Sequence, residues 1–306
     1  MLVKERYFEG RAQPRGEIGI EIEMEGNGIA GGFVGNPTGN LWTHAHDGSL
    51  RGESIEMVLK QPIDRESVAP ALRDLDSTLK KNNAIIIPSV RTGVHIHVNV
   101  QGLTMEQTFI FQLMWLLTEN AMVGYCGEDR TGNLFCLRST DAEVMLDKLH
   151  QAVLNNEFKT LYTDELRYSA MNPKALCEYG SLEFRCLKTP DRMVDIATWV
   201  SLLLKLKDYS VKLDNPVKLM GRISLEGADV IAQEIFGELI IKFGVIDWTE
   251  VLYDGLRRIQ PIVYCRDWEI EAEADSLEIQ VELPQSWEQA KLKNALTARE
   301  VVDYNA

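Results

Sequence analysis

Several features that mark whole classes of protein are missing from this sequence of 306 residues. No stretch approaches the roughly 20 apolar residues that a membrane-spanning helix needs, and Met1 to Tyr7 lack the apolar core of a secretion signal. Cysteines are few and form no Cys-x-x-Cys pair: Cys126, Cys136, Cys177, Cys186 and Cys265. We therefore expect reduced thiols, a cytoplasmic location and no contact with a membrane.

Basic residues are also scarce. The chain has 32 lysines and arginines against 46 aspartates and glutamates, a net charge of −14, and no basic cluster stands out. This balance opposes nonspecific binding to nucleic acid, so we expect no nucleic-acid partner. The hydrophobic content of 45% is enough for a substantial core, which predicts folding without disulfides or a structural metal.

Glutamates alternate with apolar residues from Glu17 to Glu25, the pattern of a strand with one apolar face. The opposite face then carries four glutamates. Like charges this close raise one another's pKa or require a counter-ion, and a hard divalent cation with oxygen ligands meets that need. The alternative is an edge strand that uses its charge to prevent aggregation.

A second carboxylate strand is expected from Ser54 to Leu59, carrying Glu56. The glycine-rich stretch from Gly26 to Asn40 before it reads as a long loop, and Asp47-Gly48 forms the tip of a turn. Two further histidines are expected in this loop region, with a role in substrate binding left open: His44 and His46.

The segment Arg91 to Val100 alternates as a third strand, which places His95, His97 and Asn99 on one face. Two imidazoles on one strand face can reach a single metal ion or the oxygens of one phosphate. A pair of half-exposed histidines on an open sheet is the plainer interpretation. Carboxylates supplied to the same face by other strands would decide between the two.

A fourth strand, Ser181 to Leu187, places Glu183 and Arg185 on one face. This pair is either a surface ion pair, worth less than about 1 kcal/mol, or a metal ligand beside an arginine that binds phosphate. In the connector before it, Arg138 is a candidate phosphate contact or an ordinary surface arginine.

Helical periodicity predicts helices over residues 65–82, 104–124 and 141–153, and from Thr189 to about Tyr209. The second of these is apolar on most sides, so we expect a central core helix capped by Thr104. After Pro216 the chain is expected to be helical, and it is strongly acidic from Glu269 to Glu282. We therefore expect a catalytic domain over residues 1–210. A helical C-terminal region over 211–306 would pack on it or form a homo-oligomer.

Together, the strands place polar groups on single faces in a fixed order. These groups are Glu21 and Glu23, then Asp47 or Glu56, then His95 and His97, then Glu183 and Arg185. Carboxylates and histidine on one antiparallel sheet describe a site for two or three Mg²⁺ ions, which complete their shells with phosphate oxygens and water. The arginines would supply positive charge to a transferring phosphoryl group.

The same residues carry a family resemblance. The stretches G-I-E21-I-E23, D47-G-S-L with E56, T-G-V-H95-I-H97-V, R167 with N172, and S-L-E183-F-R185 resemble the successive motifs of the amidoligases. These are ATP-dependent carboxylate–amine ligases related to glutamine synthetase and glutamate–cysteine ligase. The resemblance covers about residues 16 to 205 and leaves the C-terminal hundred residues unmatched.

The resemblance implies an α+β fold: a curved antiparallel sheet with helices on one face, as in glutamine synthetase. It implies metal ligation by Glu21, Glu23, Glu56, His95 and Glu183. It implies phosphate binding by Arg185 and Arg167 and substrate contact by His97. For ATP, the expected binding residues are His95, Asn172, Lys174, Arg185 and Arg138. The spacing between Asp47 and Glu56 departs from the family pattern, so no role is carried over to Asp47.

The implied reaction uses ATP and Mg²⁺ to join a carboxylate and an amine, both small molecules or peptides. The γ-phosphoryl group of ATP would activate the carboxylate as an acyl phosphate, which the amine then attacks. A nearby carboxylate would serve as base, because the amine must be deprotonated when it attacks.

Two other functions are also compatible with the sequence. A His-x-His metallohydrolase would use Zn²⁺ and an activated water, although the many glutamates favour a harder metal. A noncatalytic binding or assembly protein could keep the same fold, because fold alone does not prove function.

Overall fold

The computed structural model describes residues 1–10, 16–29, 41–45, 47–142 and 144–268. Over these residues the protein is α+β, with a seven-stranded antiparallel sheet and helices. This confirms the predicted class. None of the helices in these ranges has the length and apolar character to cross a bilayer.

The sheet is built from seven strands with the bounds β1 Ile18–Asn27, β2 Trp42–Ala45, β3 Ser54–Leu59, β4 Ile85–Ile86, β5 Gly93–Asn99, β6 Met171–Asn172 and β7 Ser181–Lys188. All four predicted strands are present. The strand order is β2-β3-β1-β5-β7-β6, and β4 pairs with β1. The three longest strands, β1, β5 and β7, are neighbours in this order.

Nine α-helices are described in these ranges, and several enclose the apolar face of the sheet. Phe184 of β7 contacts Phe111 and Trp115, with ring centroids 5.6 and 4.9 Å apart, so the longest helix packs directly on this face. The bounds are α1 Val3–Tyr7, α2 Arg65–Lys81, α3 Met105–Tyr125, α4 Met145–Leu154, α5 Ala175–Tyr179, α6 Ile196–Lys212, α7 Pro216–Glu226, α8 Ala228–Phe236 and α9 Trp248–Val263.

Helix α3 is the central core helix that its composition predicts, because residues all round its circumference are buried. Its start is also as predicted. The Thr104 hydroxyl accepts from the Gln107 backbone N–H at 3.1 Å, and the Gln107 side chain accepts in return from the Thr104 N–H at 3.0 Å. This reciprocal pair satisfies two donors that the first turn of a helix leaves without partners.

Three boundary predictions are wrong. Helix α4 begins at Met145 rather than Asp141, and α6 begins at Ile196 after a short 3₁₀ turn. Thr189 caps no helix, because its buried hydroxyl donates to the Glu23 carbonyl oxygen at 2.6 Å. A hydrogen bond to a strand distant in sequence therefore competes successfully with the local cap.

The loop predictions fall partly outside the described residues. His44 lies on strand β2 rather than in a loop. His46, most of the glycine-rich stretch (residues 30–40) and the acidic stretch from Glu269 onward lie outside the described ranges.

The helices after Asn215 pack on the rest of the protein. Helix α9 lies so close to α3 that a Cβ added to Gly255 would be 2.2 Å from the Leu117 carbonyl oxygen. Arg258 of α9 donates to the Glu119 carboxylate of α3 at 2.8 Å. The region from residue 211 to Trp268 therefore packs on the sheet-bearing part of the protein. The domain boundary itself stays a prediction.

Candidate functional site

The polar residues of four strands meet on the face of the sheet opposite α3. In the antiparallel register Glu21 is paired with His95, and Glu23 with Glu56. The next pair across the sheet is His97 and Glu183. Directly paired residues point to the same side of a sheet, so side chains from β1, β3, β5 and β7 converge.

His95 lies at the centre of this convergence. Its Nδ1 is 3.2 Å from Glu21 Oε2 and 3.6 Å from Glu183 Oε1, and its Nε2 is 3.7 Å from Glu23 Oε1. The imidazole is 6% exposed, as are Glu23 and Glu183. One buried ring therefore has carboxylates beside both of its nitrogens.

These groups line a cavity of about 430 Å³, called the acid cavity here. It contains all the predicted site residues except Arg138: Glu21, Glu23, Glu56, His95, His97, Arg167, Asn172, Lys174, Glu183 and Arg185. Asp47, for which no role follows from the family resemblance, also lines it. Glu178 and Tyr179 are additions that sequence reasoning missed, because they lie on the short helix α5, where no strand alternation singles them out.

The carboxylates of the acid cavity differ in their preferred charge. Burial alone would raise the pKa of Glu21, but hydrogen bonds from His95 and His97 bring that pKa well below its ordinary range. Burial and the neighbouring Glu21 charge raise the pKa of Glu56 to about 7, and burial raises the pKa of Glu23. Without a cation, the raised pKa values therefore favour a proton on the pair formed by Glu23 and Glu56.

Two groups of side chains have donor atoms close enough to share a metal ion. They are Glu21 with His95 and Glu183, and Glu23 with Glu56 and His95, each with its ligand atoms within 4.8 Å of one another. A neutral imidazole has one free lone pair, so His95 can ligate in one group while the other supplies only oxygens. Neither group contains both histidines, which does not favour a two-histidine zinc site.

Arginines gather at one end of the acid cavity. A smaller space of about 70 Å³, the arginine cavity, adjoins it and is lined by four of them: Arg91, Arg130, Arg167 and Arg185. The two cavities share lining residues, among them Glu23, His95 and Arg185. An anion in the arginine cavity would therefore lie directly beside the carboxylate groups that can hold a cation.

The connector before α4 contributes Arg130 to the site rather than Arg138. Arg130 is 2% exposed, and its Nη2 donates to the carbonyl oxygens of Thr92 and Leu187 at 2.5 and 3.2 Å. Arg138 pairs with Asp141 at 3.0 Å and does not line the acid cavity or the arginine cavity. The phosphate role predicted for Arg138 thus has a better-placed candidate eight residues earlier.

Two of these guanidinium groups have an N–H donor that lacks an acceptor among the described residues. The Nε atoms of Arg130 and Arg185 are buried and have no hydrogen-bond partner among the described residues. Arg185 also donates from Nη1 to Glu183 Oε1 at 2.8 Å. Buried N–H groups without an acceptor are costly, so these two favour an anionic ligand.

Several residues hold the site groups in place. The Asn172 amide donates to Glu183 Oε2 at 2.8 Å and accepts from the Lys174 backbone N–H at 3.0 Å. The Lys174 ammonium pairs with Asp164 at 2.6 Å. Gly93 donates its N–H to Glu23 Oε2 at 2.9 Å. Asn172 is thus occupied in orienting a carboxylate, and Lys174 would have to leave Asp164 to reach a nucleotide.

The four glutamates predicted to share one strand face, three on β1 and Glu17 just before it, are of two kinds. Glu17 is paired with Arg65 at 2.7 Å and with Lys207 at 3.2 Å, and Glu25 accepts from the Arg51 N–H at 2.7 Å. Neither lines the acid cavity. Only the middle pair, Glu21 and Glu23, lies with His95. The charge of this strand face therefore has different causes at its ends and at its centre.

The arrangement is suited to binding divalent cations beside a buried anion, because the carboxylates around His95 adjoin the arginine cavity. No protein-family model matches the sequence, and the search of curated proteins also finds no match.

Proposed function

We propose that this protein is an ATP-dependent carboxylate–amine ligase with a glutamine-synthetase-like catalytic fold, as the amidoligase resemblance implies. The observation that carries the proposal is the position of the two metal-type groups directly beside the arginine cavity. A phosphoryl-transfer site needs cations to balance phosphate oxygens and fixed donors for the charge that moves during transfer. The acid and arginine cavities together supply both.

The donor set fits Mg²⁺. Carboxylate oxygens dominate both groups, and Mg²⁺ prefers a few carboxylates together with phosphate oxygens and water. The residues that would hold it are Glu21, Glu183 and His95 in one group, and Glu23 and Glu56 in the other. Bound Mg²⁺ would polarise the phosphoryl oxygens and offset the charge between ATP and an incoming carboxylate.

The chain's own residues have separate tasks in this proposal. Arg130 and Arg185 line the arginine cavity and would supply positive charge to phosphoryl oxygens there, a role for which the guanidinium group is well suited. Arg167 is exposed and lies over the Tyr168 ring with its Cζ 5.6 Å from the centroid. It would therefore contact the nucleotide from the open side. Asn172 keeps Glu183 in the orientation that ligation requires.

The test is Mg²⁺-dependent nucleotide binding in Glu21→Gln and Glu183→Gln. Each change removes a charge from the group around His95 while keeping the shape of the side chain. We expect loss of Mg²⁺-dependent ATP binding in calorimetric titrations and unchanged circular dichroism. Mn²⁺ binding followed by electron paramagnetic resonance would report on the metal without any turnover.

A matched control is available on the same strand. Glu25→Gln removes a charge from the same face of β1 but lies outside the acid cavity, so ATP and Mn²⁺ affinities should stay at the wild-type values. Unchanged ATP affinity in both Glu21→Gln and Glu183→Gln would sink the site assignment. ADP release with Mg²⁺ and a carboxylate–amine pair would then separate a ligase from a noncatalytic binding protein.

A further inference from the structure

A second cavity of similar size lies on the other side of the acid cavity. This side cavity has a volume of about 420 Å³ and shares Glu21, His97, Glu178 and Tyr179 with the acid cavity. The side cavity and the arginine cavity have no lining residue in common. The order along the sheet is therefore arginine cavity, acid cavity, side cavity.

The side cavity exists because one position on this polar face has no side chain. Gly19 lies between Lys60 of the chain after β3 and His97 of β5, and a Cβ there would come 3.2 Å from the His97 Cβ. Phe8, Val58 and Pro62 add apolar side chains to the lining, whereas Ile20 and Leu59 line it from strand positions whose side chains belong to the core. A volume of a few hundred Å³ with mostly apolar walls is typical of a site for a small molecule.

One buried polar atom in this lining has no partner. Gln101 is 4% exposed, and its Nε2 donates to the Tyr179 carbonyl oxygen at 2.9 Å. That bond fixes the amide and leaves Oε1, which is buried, without a donor among the described residues. Because Gln101 lines the side cavity, this acceptor is a candidate partner for an N–H or O–H group of an occupant.

Charge at the boundary with the acid cavity selects the kind of occupant. The shared residues Glu21 and Glu178 are both carboxylates, which repel an anionic group and attract an ammonium or amine. Both carboxylates have a basic neighbour, since Glu21 Oε1 lies 3.4 Å from His97 Nε2 and Glu178 Oε1 lies 3.8 Å from Lys174 Nζ. Lys60 also lines the side cavity, forms no ion pair with the described residues and is exposed. The strand geometry places its Cα about 7 Å beyond Val58, the residue paired with Glu21.

We propose that the side cavity binds a primary amine with an apolar body, its nitrogen directed toward Glu21 and Glu178. This assignment rests on the proposed ligase function, in which the activated carboxylate lies beside the arginines. The amine nitrogen then attacks the acyl carbon from the side cavity, the bond from that carbon to the phosphate oxygen breaks, and inorganic phosphate leaves toward the arginines. As the amide bond forms, the amine gives up a proton to a carboxylate at this boundary, Glu21 or Glu178.

The first test needs no variant and no ATP. Methylamine, butylamine, hexylamine and hexanoate are titrated into the wild-type protein by calorimetry. We expect affinity to rise about 4-fold for each added methylene that the cavity encloses, and hexanoate to bind more weakly than hexylamine. Equal binding of methylamine and hexylamine, or tighter binding of hexanoate, would overturn the proposal.

A second test fills the cavity. Val58 lines the side cavity but not the acid cavity, so Val58→Trp should weaken hexylamine binding at least 10-fold and leave Mg²⁺-dependent ATP binding unchanged. Val230→Trp, at an exposed position on α8, is the control and should change neither affinity. Unchanged hexylamine affinity in Val58→Trp would contradict the assignment.

The two proposals fail in different ways. Wild-type protein that binds Mg²⁺ and ATP but shows no preference for longer amines retains the ligase proposal and loses the amine assignment. Wild-type protein without Mg²⁺-dependent ATP binding loses the ligase proposal, on which the role as reacting amine depends. The chain-length series remains decisive for the cavity itself if Val58→Trp does not fold.

Discussion

Two clusters of buried charge in this protein differ in the partners of their carboxylates. On the helical side, Glu119 of α3 accepts hydrogen bonds from Trp115 Nε1 at 3.2 Å, from the Ser139 N–H at 2.9 Å and from Arg258 Nη1 at 2.8 Å, and also from the Ser139 hydroxyl. On the sheet, carboxylates of β1 and β3 face each other as a pair.

The difference lies in how the carboxylates are partnered. Glu119 has a donor for each of its oxygens, although burial raises its pKa and Arg258 Nη2 has no acceptor among the described residues. In the acid cavity, Glu23 and Glu56 face each other, and burial raises the pKa of both. Two carboxylates paired in this way need a proton or a cation between them, and Glu119 does not.

The largest expected effect on stability is on the helical side. Arg258→Met leaves the Glu119 carboxylate buried without its ion-pair partner, and breaking a buried pair in this way costs about 3–5 kcal/mol. Urea denaturation followed by circular dichroism would measure the loss. Nucleotide affinity of the folded fraction should not change, because neither residue lines the acid or arginine cavity.

The matched control for this change lies one residue earlier on α9. Arg257 pairs with Asp254 at 2.5 Å on the surface, so Arg257→Met should cost less than about 1 kcal/mol. Equal losses in the two variants would mean that the pair formed by Glu119 and Arg258 has no special structural role, and the contrast between the clusters would disappear.

The next largest effect is expected at Arg130, and Arg138 of the same connector serves as its control. Arg130→Met removes donors to Thr92 and Leu187 and the free Nε–H, so we expect a stability loss of about 1–3 kcal/mol and at least 10-fold weaker ATP binding. Arg138→Met removes only a partly exposed pair with Asp141 and should leave ATP affinity unchanged. Calorimetric titration of both variants with Mg²⁺ present tests this, and equal affinities would remove Arg130 from the site.

The sequence predicts the acid cavity well because strand alternation is a local property. Glu21, Glu23, His95 and Glu183 each follow from a period of two within one segment, and the antiparallel register then brings them together. The choice between Arg130 and Arg138 depends on how an irregular connector crosses the sheet, which no periodicity records. Glu128–Arg130 form a short 3₁₀ turn, and the bonds from Arg130 to the Thr92 and Leu187 carbonyl oxygens hold its side chain next to β5 and β7.

Helix starts failed for a related reason. Thr189-Pro190 has the composition of a cap, but the Thr189 hydroxyl bonds to the Glu23 carbonyl oxygen, 166 positions away in the chain. The side cavity was likewise not predictable, since it depends on Gly19 lying between residues of two other strands. Contacts between distant segments decided these features, whereas patterns within segments decided the strands.

The smallest expected effect is a change with pH in the free energy of unfolding, caused by Glu56 in the acid cavity. In metal-free protein the pKa of Glu56 is about 7, above its ordinary value of 4.5, because of burial and the nearby Glu21 charge. The folded state then holds a proton that the unfolded state releases, so the free energy of unfolding falls as pH rises from about 4.5 to 7. Since Glu56 is only partly buried, we expect its share of this fall to be about 1 kcal/mol.

Glu56→Gln cannot ionise, so the variant should be more stable than the wild type at pH 8 and no more stable at pH 4. Urea denaturation in the presence of a chelator, repeated at intervals between these pH values, measures the difference. A divalent cation removes the same penalty by a different route, so Mg²⁺ should stabilise the wild type more than Glu56→Gln at pH 8. A difference that does not vary with pH would show that Glu56 carries no unmet charge, and the contrast with the carboxylate of Glu119, which is paired with donors, would disappear.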